Sequence, residues 1–440
     1  MLDTLKRQYP EIPEQVLLKA GILFYGVQYH PCLIEAGDWA FPNFMPYHIP
    51  PDRPAYRGQR SVSIPYLLWQ ENGTQVRVRI KEQSPWMIRP LVFPKSSQAW
   101  NDPLAPLQSQ PEGWSYGLFE ADQCLTHLTF EPKLEWTDQL TSDGTPFKEI
   151  GLSQHGDMLV LNPAPGCEYF VAPFGEGKRN LSCQFCLYGL PDKRMDALGQ
   201  TLFQSTLPTR QLTRIVDACS HPHTHARHLY LVSGSMVDMA QEGERFVQLA
   251  KALNDKGLHE RYTIICGSGA IPKDAMQKMK ALGVKAACYN LEVWDPKQFT
   301  RVCPGKAQYV GRDRWLEALT DAVDVFGVGQ VMSAFVGGAE LDGEGAFLSM
   351  DEALASNVEG ADWLLSNGIQ PIFSLHWKLT GKTRHLEPIY SLDHFLKLNL
   401  ALAKLRHAYH QPINQTLFCQ RCAYMQLEPD FDTWYQPASS

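Results

Sequence analysis

The stretch Tyr289-Asn290-Leu291-Glu292-Val293-Trp294-Asp295-Pro296 decides how this chain is read. It closes an apolar run, Ala286 to Val293, with an amide and a carboxylate two residues apart, which on an extended strand puts both on one face. Such a pair suits vicinal hydroxyls, although a buried Asn and Glu would serve equally to satisfy backbone groups. Five further runs of the same kind flank it: Tyr169 to Pro173, His228 to Ser233, Tyr262 to Gly267, Gln330 to Val336 and Gln370 to Leu375. Between them Glu242 to Lys256, Pro272 to Leu282, Arg312 to Phe326 and Met350 to Asn367 repeat apolar residues at helical spacing. Short β-rich runs alternating with longer helices are the mark of a parallel α/β architecture. Six such units predict an open, partial (β/α)6 barrel with its chemistry on the loops after the C-terminal strand ends.

Outward from that core the pattern changes. Residues 1–150 are rich in Pro and Trp, and Glu71-Asn72-Gly73-Thr74 separates Tyr66-Leu67-Leu68-Trp69 from Val76-Arg77-Val78-Arg79-Ile80, a hairpin signal. They are read as a partly β accessory region, with Pro94 to Pro111 as a loop; residues 151–390 form the barrel. Residues 391–440 add a helix, Leu392 to His407, and a tail carrying Phe418-Cys419-Gln420-Arg421-Cys422.

With 440 residues, 44% hydrophobic and 20% charged, the chain has material for two or three folded domains. Forty basic against 47 acidic side chains leave a net charge of −7 and no basic run, which argues against nucleic acid as partner. The N-terminus lacks the apolar core of a signal peptide, and no apolar run approaches the roughly 20 residues of a membrane span. A cytoplasmic protein is expected. Eleven cysteines are too few for a disulfide scaffold and odd in number, so reduced thiols are expected, some of them ligands. Cys32, Cys124, Cys219, Cys266 and Cys288 read as packed small hydrophobes.

The cysteines with metal-ligand spacing are Cys183 and Cys186, in Ser182-Cys183-Gln184-Phe185-Cys186-Leu187-Tyr188-Gly189. Two thiols at this spacing serve zinc, a dithiol redox couple or an iron–sulfur cluster equally well. Downstream stand Ser233-Gly234-Ser235 after the second strand, Asn290-Leu291-Glu292, the helix start Gly311 to Glu317, and Phe335-Val336-Gly337-Gly338-Ala339-Glu340. In this order they resemble the radical S-adenosylmethionine (radical SAM) superfamily, nearest its biotin synthase and hydrogenase-maturase-like branch, over residues 165–380.

The resemblance implies a [4Fe-4S] cluster held by three cysteines, with S-adenosylmethionine on its open iron and reductive cleavage to a 5′-deoxyadenosyl radical. It implies Ser233, Gly234 and Ser235 at the methionine amine, although the family's common Gly-Gly-Glu is here Ser-Gly-Ser. Asn290 and Glu292 are implied at the ribose, Arg314 at the methionine carboxylate with Arg301 and Arg312 as rivals, and Val336 to Gly338 at the adenine. It also implies an electron donor such as flavodoxin or ferredoxin and a small organic substrate. The departure from the family is the first cluster cysteine. The position four before Cys183 is Arg179, and the nearest upstream cysteine is Cys167, with fifteen residues between it and Cys183. If Tyr169 to Pro173 were the first strand, Cys167 would lie on the wrong side of the barrel.

Cys419 and Cys422 are expected to hold an auxiliary cluster or zinc, or to complete the first cluster. Cys303 reads as packed, and His221, His223, His225 and His228 as a solvent loop at the bottom of the barrel. His376, after the sixth strand, is the candidate general acid/base or substrate contact. Two rival readings remain: a zinc-dependent barrel enzyme using Cys183, Cys186 and histidines, and a non-catalytic metal-binding interaction module.

Overall fold

The computed structural model describes residues 1–30, 44–48, 61–91, 116–130, 139–164, 166–186, 203–222, 226–380, 385–414, 416–418 and 424–435. It divides into two compact units, one of residues 1–134 with 420–430, the other of 135–419 with 431–440.

In the first unit, helices Leu2–Gln8 and Glu14–Tyr25 accompany a six-stranded sheet ordered Gln28–Tyr29, Trp86–Pro90, Tyr116–Glu120, Gln123–Phe130, Leu67–Gln70, Gln75–Arg77. The expected hairpin is present: Leu67–Gln70 pairs antiparallel with Gln75–Arg77, and Gly73 turns the chain at φ 84°. Gly21 is required by contact, since a Cβ there would fall 2.1 Å from the buried Trp86 ring. Residues 92–115, which include all of the loop expected from Pro94 to Pro111, lie outside the described residues.

The second unit is built on six parallel strands: β1 (Met158–Leu161), β2 (His228–Val232), β3 (Thr263–Gly267), β4 (Val284–Cys288), β5 (Val331–Gly337) and β6 (Ile369–Leu375). They follow one another in chain order across the sheet, with Leu152–His155 antiparallel on the outer side of β1. The helices that cross between strands are α1 (Thr209–Ser220), α2 (Met239–Asn254), α3 (Lys273–Ala281), α4 (Arg312–Phe326) and α5 (Met350–Ser366), with α6 (Leu392–Ala408) after the last strand. This is the curled α/β half-barrel expected. The strands are nearly all apolar because both faces are covered, as Ile264, Ile265 and Cys266 on β3 show by being buried in succession. Helix starts carry their own signals: Asp238 accepts from Ala240 N and Gln241 N, and Ser349 forms a capping box with Glu352.

One strand differs from expectation, with a functional consequence. Tyr169 to Pro173 is not the first barrel strand: Glu168–Val171 is a 3-10 turn, and Ala172–Phe174 pairs antiparallel with Gly177–Arg179 in a two-stranded ribbon. Pro173 lacks the N–H that an interior ladder position needs. The strand is instead Met158–Leu161, a four-residue run fed by the Gly156-Asp157 turn. Cys167 therefore follows the C-terminal end of β1, at the end of the barrel where functional groups collect.

Candidate active site

Cys167 lies six residues beyond the end of β1, and the loop after β2 fixes it. Gly234 N–H donates to Ala164 O (3.3 Å), Glu168 N–H donates to Ser235 O (2.9 Å), and Val237 N–H donates to the Glu168 carboxylate (2.6 Å). Gly234 is the point of closest approach, because a Cβ there would lie 2.0 Å from Gly166 O and 2.7 Å from Cys167 Cα. The central glycine of Ser-Gly-Ser thus lets two loops touch.

Cys183 and Cys186 are positioned by the chain beyond β4. Leu181 N–H donates to Tyr169 O (2.6 Å), Gln184 N–H to Val302 O (2.9 Å) and Gly305 N–H to Leu181 O (2.8 Å). Gly305 permits this docking, since its Cβ would fall 2.5 Å from the Tyr169 ring. Arg301 clamps the same loop: its Nη1 donates to Gln184 Oε1 (3.2 Å) and Asp342 O (2.6 Å), and its Nη2 to Glu340 O (3.1 Å). Arg301 thereby ties the Cys-x-x-Cys loop to the segment after β5.

These loops form one cavity. Cys167, Cys183, Cys186, Ser233, Gly234 and Ser235 line it together with Cys288, Asn290, Glu292, Lys306 and Trp315. Asn290 Oδ1 accepts from Ala334 N–H (3.2 Å) and from the Cys288 thiol (3.2 Å), which fixes the amide with its Nδ2 as the remaining donor. Glu292 sits at φ 73°, a left-handed conformation that costs a non-glycine residue about 1–2 kcal/mol. It is held there from both sides, with Glu292 N–H on Ala334 O (2.9 Å) and Val336 N–H on Glu292 O (2.9 Å). The strained kink ends β4 earlier than the apolar run suggests and turns the carboxylate onto the cavity wall.

The cation of this cavity is Lys306. Its Nζ donates to Asn290 O (2.6 Å) and Glu292 Oε1 (2.9 Å) and lies 4.3 Å from the Trp315 ring centre. Burial works against its charge, yet Glu292 and the nearby Cys183 and Cys303 outweigh it, so its pKa stands above the ordinary lysine value. Hydrogen bonding with Cys303 holds the Cys183 thiol below the ordinary value, and Lys306 adds to this. Burial pushes Cys167 up to about 12. Nothing in the sequence marked Lys306; the only local hint is the Cys303-Pro304-Gly305 approach that carries it inward.

The other residues singled out from the sequence lie elsewhere. Arg314 pairs with Glu317 (2.8 Å) and Asp321 (3.3 Å) on its own helix and does not line the cavity. Arg312 lies over Trp294 and donates to its carbonyl. Val336 and Gly338 stand at and just beyond the end of β5, outside the lining of this cavity. His376 follows β6, hydrogen-bonds Asp342 Oδ2 (3.3 Å), and meets Phe185 of the Cys-x-x-Cys loop edge to face. Burial lowers its pKa more than Asp342 raises it. Cys419, Cys422, His223 and His225 lie outside the described residues.

No family model matches the chain. Bacteriochlorophyllide c C-7(1)-hydroxylase of Chlorobaculum limnaeum is 21% identical over 330 residues, spanning 72% of this chain and 76% of that protein. The chain is similar to radical SAM enzymes. Solved structures with a detectable likeness include methylornithine synthase (PylB), at 13% identity and TM-score 0.34, and HydG, a maturase of the [FeFe]-hydrogenase, at 15% and 0.37. The first match covers 52% of this chain and 59% of PylB, the second 60% of this chain and 52% of HydG, so less than two thirds of either protein is spanned.

A radical SAM protein carries a [4Fe-4S] cluster and S-adenosylmethionine, and the cavity's chemistry can be set against both. Three thiols on a common wall are the donors that iron takes. A free amide donor and a carboxylate beside them suit a hydroxylated ligand. Among the described residues, no three His, Cys, Asp or Glu side chains are gathered at metal-ligand spacing, so the thiols share a wall without forming a closed ligand set. The eight described cysteines are all free thiols. Among the described residues no helix is long and apolar enough to cross a membrane.

Proposed function

We propose that this chain is a radical SAM enzyme in which Cys167, Cys183 and Cys186 hold a [4Fe-4S] cluster and Asn290 with Glu292 holds the ribose of S-adenosylmethionine. When bound and reduced, the cluster supplies the electron that cleaves the sulfonium to a 5′-deoxyadenosyl radical, which takes hydrogen from an unactivated carbon of a small organic substrate. The observation that carries this reading is the single cavity in which three thiols stand beside a free amide donor and a carboxylate. The protein's own part is to orient and to exclude water. Gly234 and Glu168 seat Cys167, Arg301 and Gly305 seat the Cys183 to Cys186 loop, and the Glu292 kink turns its carboxylate inward.

His376, with Asp342 behind it, stands at the end of β6 as the group to hold or move a proton on the substrate side. The lowered pKa keeps it neutral at pH 7, as a base requires. Arg314 is left as a remote candidate for the methionine carboxylate, and Ser233 to Ser235 for the amine. Electrons would come from a flavodoxin or ferredoxin in a reducing cytoplasm, and Cys419 with Cys422 would hold an auxiliary cluster or zinc. Because a curated relative is named as a hydroxylase, hydroxylation of a carbon is the first outcome to assay.

The test is anaerobic purification and reconstitution, followed by iron and sulfide analysis and incubation with S-adenosylmethionine and dithionite. A brown protein with at least about four irons per chain that releases 5′-deoxyadenosine and methionine is expected. A colourless protein with stoichiometric zinc, or an intact cluster that never cleaves the cofactor, refutes it.

A further inference from the structure

We infer that Lys306 is the positioning residue of the nucleoside subsite: it holds one oxygen of Glu292 so that the other is presented, with Asn290 Nδ2, to a pair of adjacent hydroxyls. This rests on the radical SAM reading above and assigns a role to a residue outside the family's motifs.

The geometry is specific. Lys306 is buried, 6% exposed, and bridges the two residues that would meet the ligand, taking Asn290 through its backbone carbonyl (2.6 Å) and Glu292 through Oε1 (2.9 Å). Glu292 Oε2 has no hydrogen-bond partner among the described residues, and Glu292 lines the cavity. Asn290 Oδ1 is already engaged by Ala334 N–H and the Cys288 thiol, leaving Nδ2 as the donor. One donor and one acceptor side by side match a vicinal diol, in which one hydroxyl accepts and both donate. The Glu292 side chain is half-buried, and without a partner on Oε1 it would be free to rotate. Lys306 removes that freedom, and the Trp315 face on its flank, 4.3 Å from Nζ, keeps the ammonium from swinging away. The placement of Lys306 follows from Gly305, whose missing Cβ lets this turn press against Tyr169.

Lys306 is thus assigned to hydroxyl recognition, and the alternative, a direct contact of its ammonium with the ligand's amino-acid carboxylate, gives a different experimental result. The experiment uses the full-length, cluster-loaded protein under anaerobic conditions and calorimetric binding of S-adenosylhomocysteine and its 2′-deoxy analogue. The variants are K306M and K306Q, the second retaining a donor for Asn290 O in case the first does not fold. Wild type should prefer the ribose ligand by about tenfold or more, the range expected when a hydrogen bond to a charged group is lost. In folded K306M or K306Q with full iron content, that preference should collapse to within about twofold while the 2′-deoxy ligand binds as it does to wild type. An unchanged preference in K306Q overturns the role of Lys306, and so does an equal loss for both ligands, which would mark contact with the amino-acid end or a general structural effect. Wild-type protein that binds neither ligand overturns the nucleoside reading itself and this inference with it.

Discussion

Glu340, in the turn after β5, offers a prediction whose size follows from the structure. Its side chain is fully buried; Oε1 accepts from Asn357 Nδ2 (2.6 Å), and Oε2 is buried with no hydrogen-bond partner among the described residues. Burial raises its pKa from 4.5 to about 7, against smaller lowering effects from its own backbone amide, Asn357, the Gly338 amide and Arg301. The folded protein therefore binds this proton more tightly than the unfolded chain. Between pH 4.5 and about 7, folding takes up a proton, so stability falls as pH rises through that window and levels off above it. At about 1.4 kcal/mol per pH unit, the whole window is worth about 3 kcal/mol. Glu340→Gln imitates the protonated form and should remove this slope. Denaturant unfolding of wild type and E340Q at a series of pH values from 4.5 to 8 isolates the effect, since the other titrating groups cancel in the difference. E340Q should gain on wild type by about 3 kcal/mol across the series. A difference that stays flat with pH would refute the account, showing that Glu340 remains ionised in the fold or is reached by water.

Three further outcomes follow from the same geometry. Gly234→Ala puts a methyl where only 2.0 Å separates it from Gly166 O, so it should displace Cys167 and lower iron per chain well below that of wild type, while the far-ultraviolet circular dichroism is retained. Arg301→Met cuts the hydrogen bonds to Gln184, Asp342 and Glu340; at about 1.5–3 kcal/mol for a bond to a charged group, it should lower the melting temperature by several degrees and speed iron loss to a chelator. His376→Asn should leave iron content and S-adenosylmethionine cleavage near wild type but slow substrate conversion by about a hundredfold, and an undiminished conversion rate would remove His376 from the proton-handling role.

Much of the barrel was legible because its signals are local. α4 runs from Arg312 to Phe326 as its periodicity predicts, and β2, β3, β5 and β6 fall within a residue of their apolar runs. Cys183 and Cys186 could be picked out because ligand spacing is a property of adjacent residues, whereas Asn290 and Glu292, read as alternating on a strand, lie beyond the end of β4 at Cys288, with Glu292 in a left-handed conformation. β1 was not legible, since Met158–Leu161 is a four-residue run with no periodicity to read, and Ala172–Phe174 is a true strand that pairs only within its own ribbon.

By itself the sequence determined the alternating α/β class, the thiol pair and the amide–carboxylate strand end. Only the tertiary structure decided that Cys167 follows the first barrel strand and lines one cavity with Cys183 and Cys186, that Lys306 pairs with Glu292, and that Arg314 pairs with Glu317 and Asp321 on its own helix. The first two depend on which distant segments are buried against each other: Gly234 against Cys167, Gly305 against Tyr169. Close contacts of that kind are set by packing over long sequence separations, and no spacing within a motif encodes them.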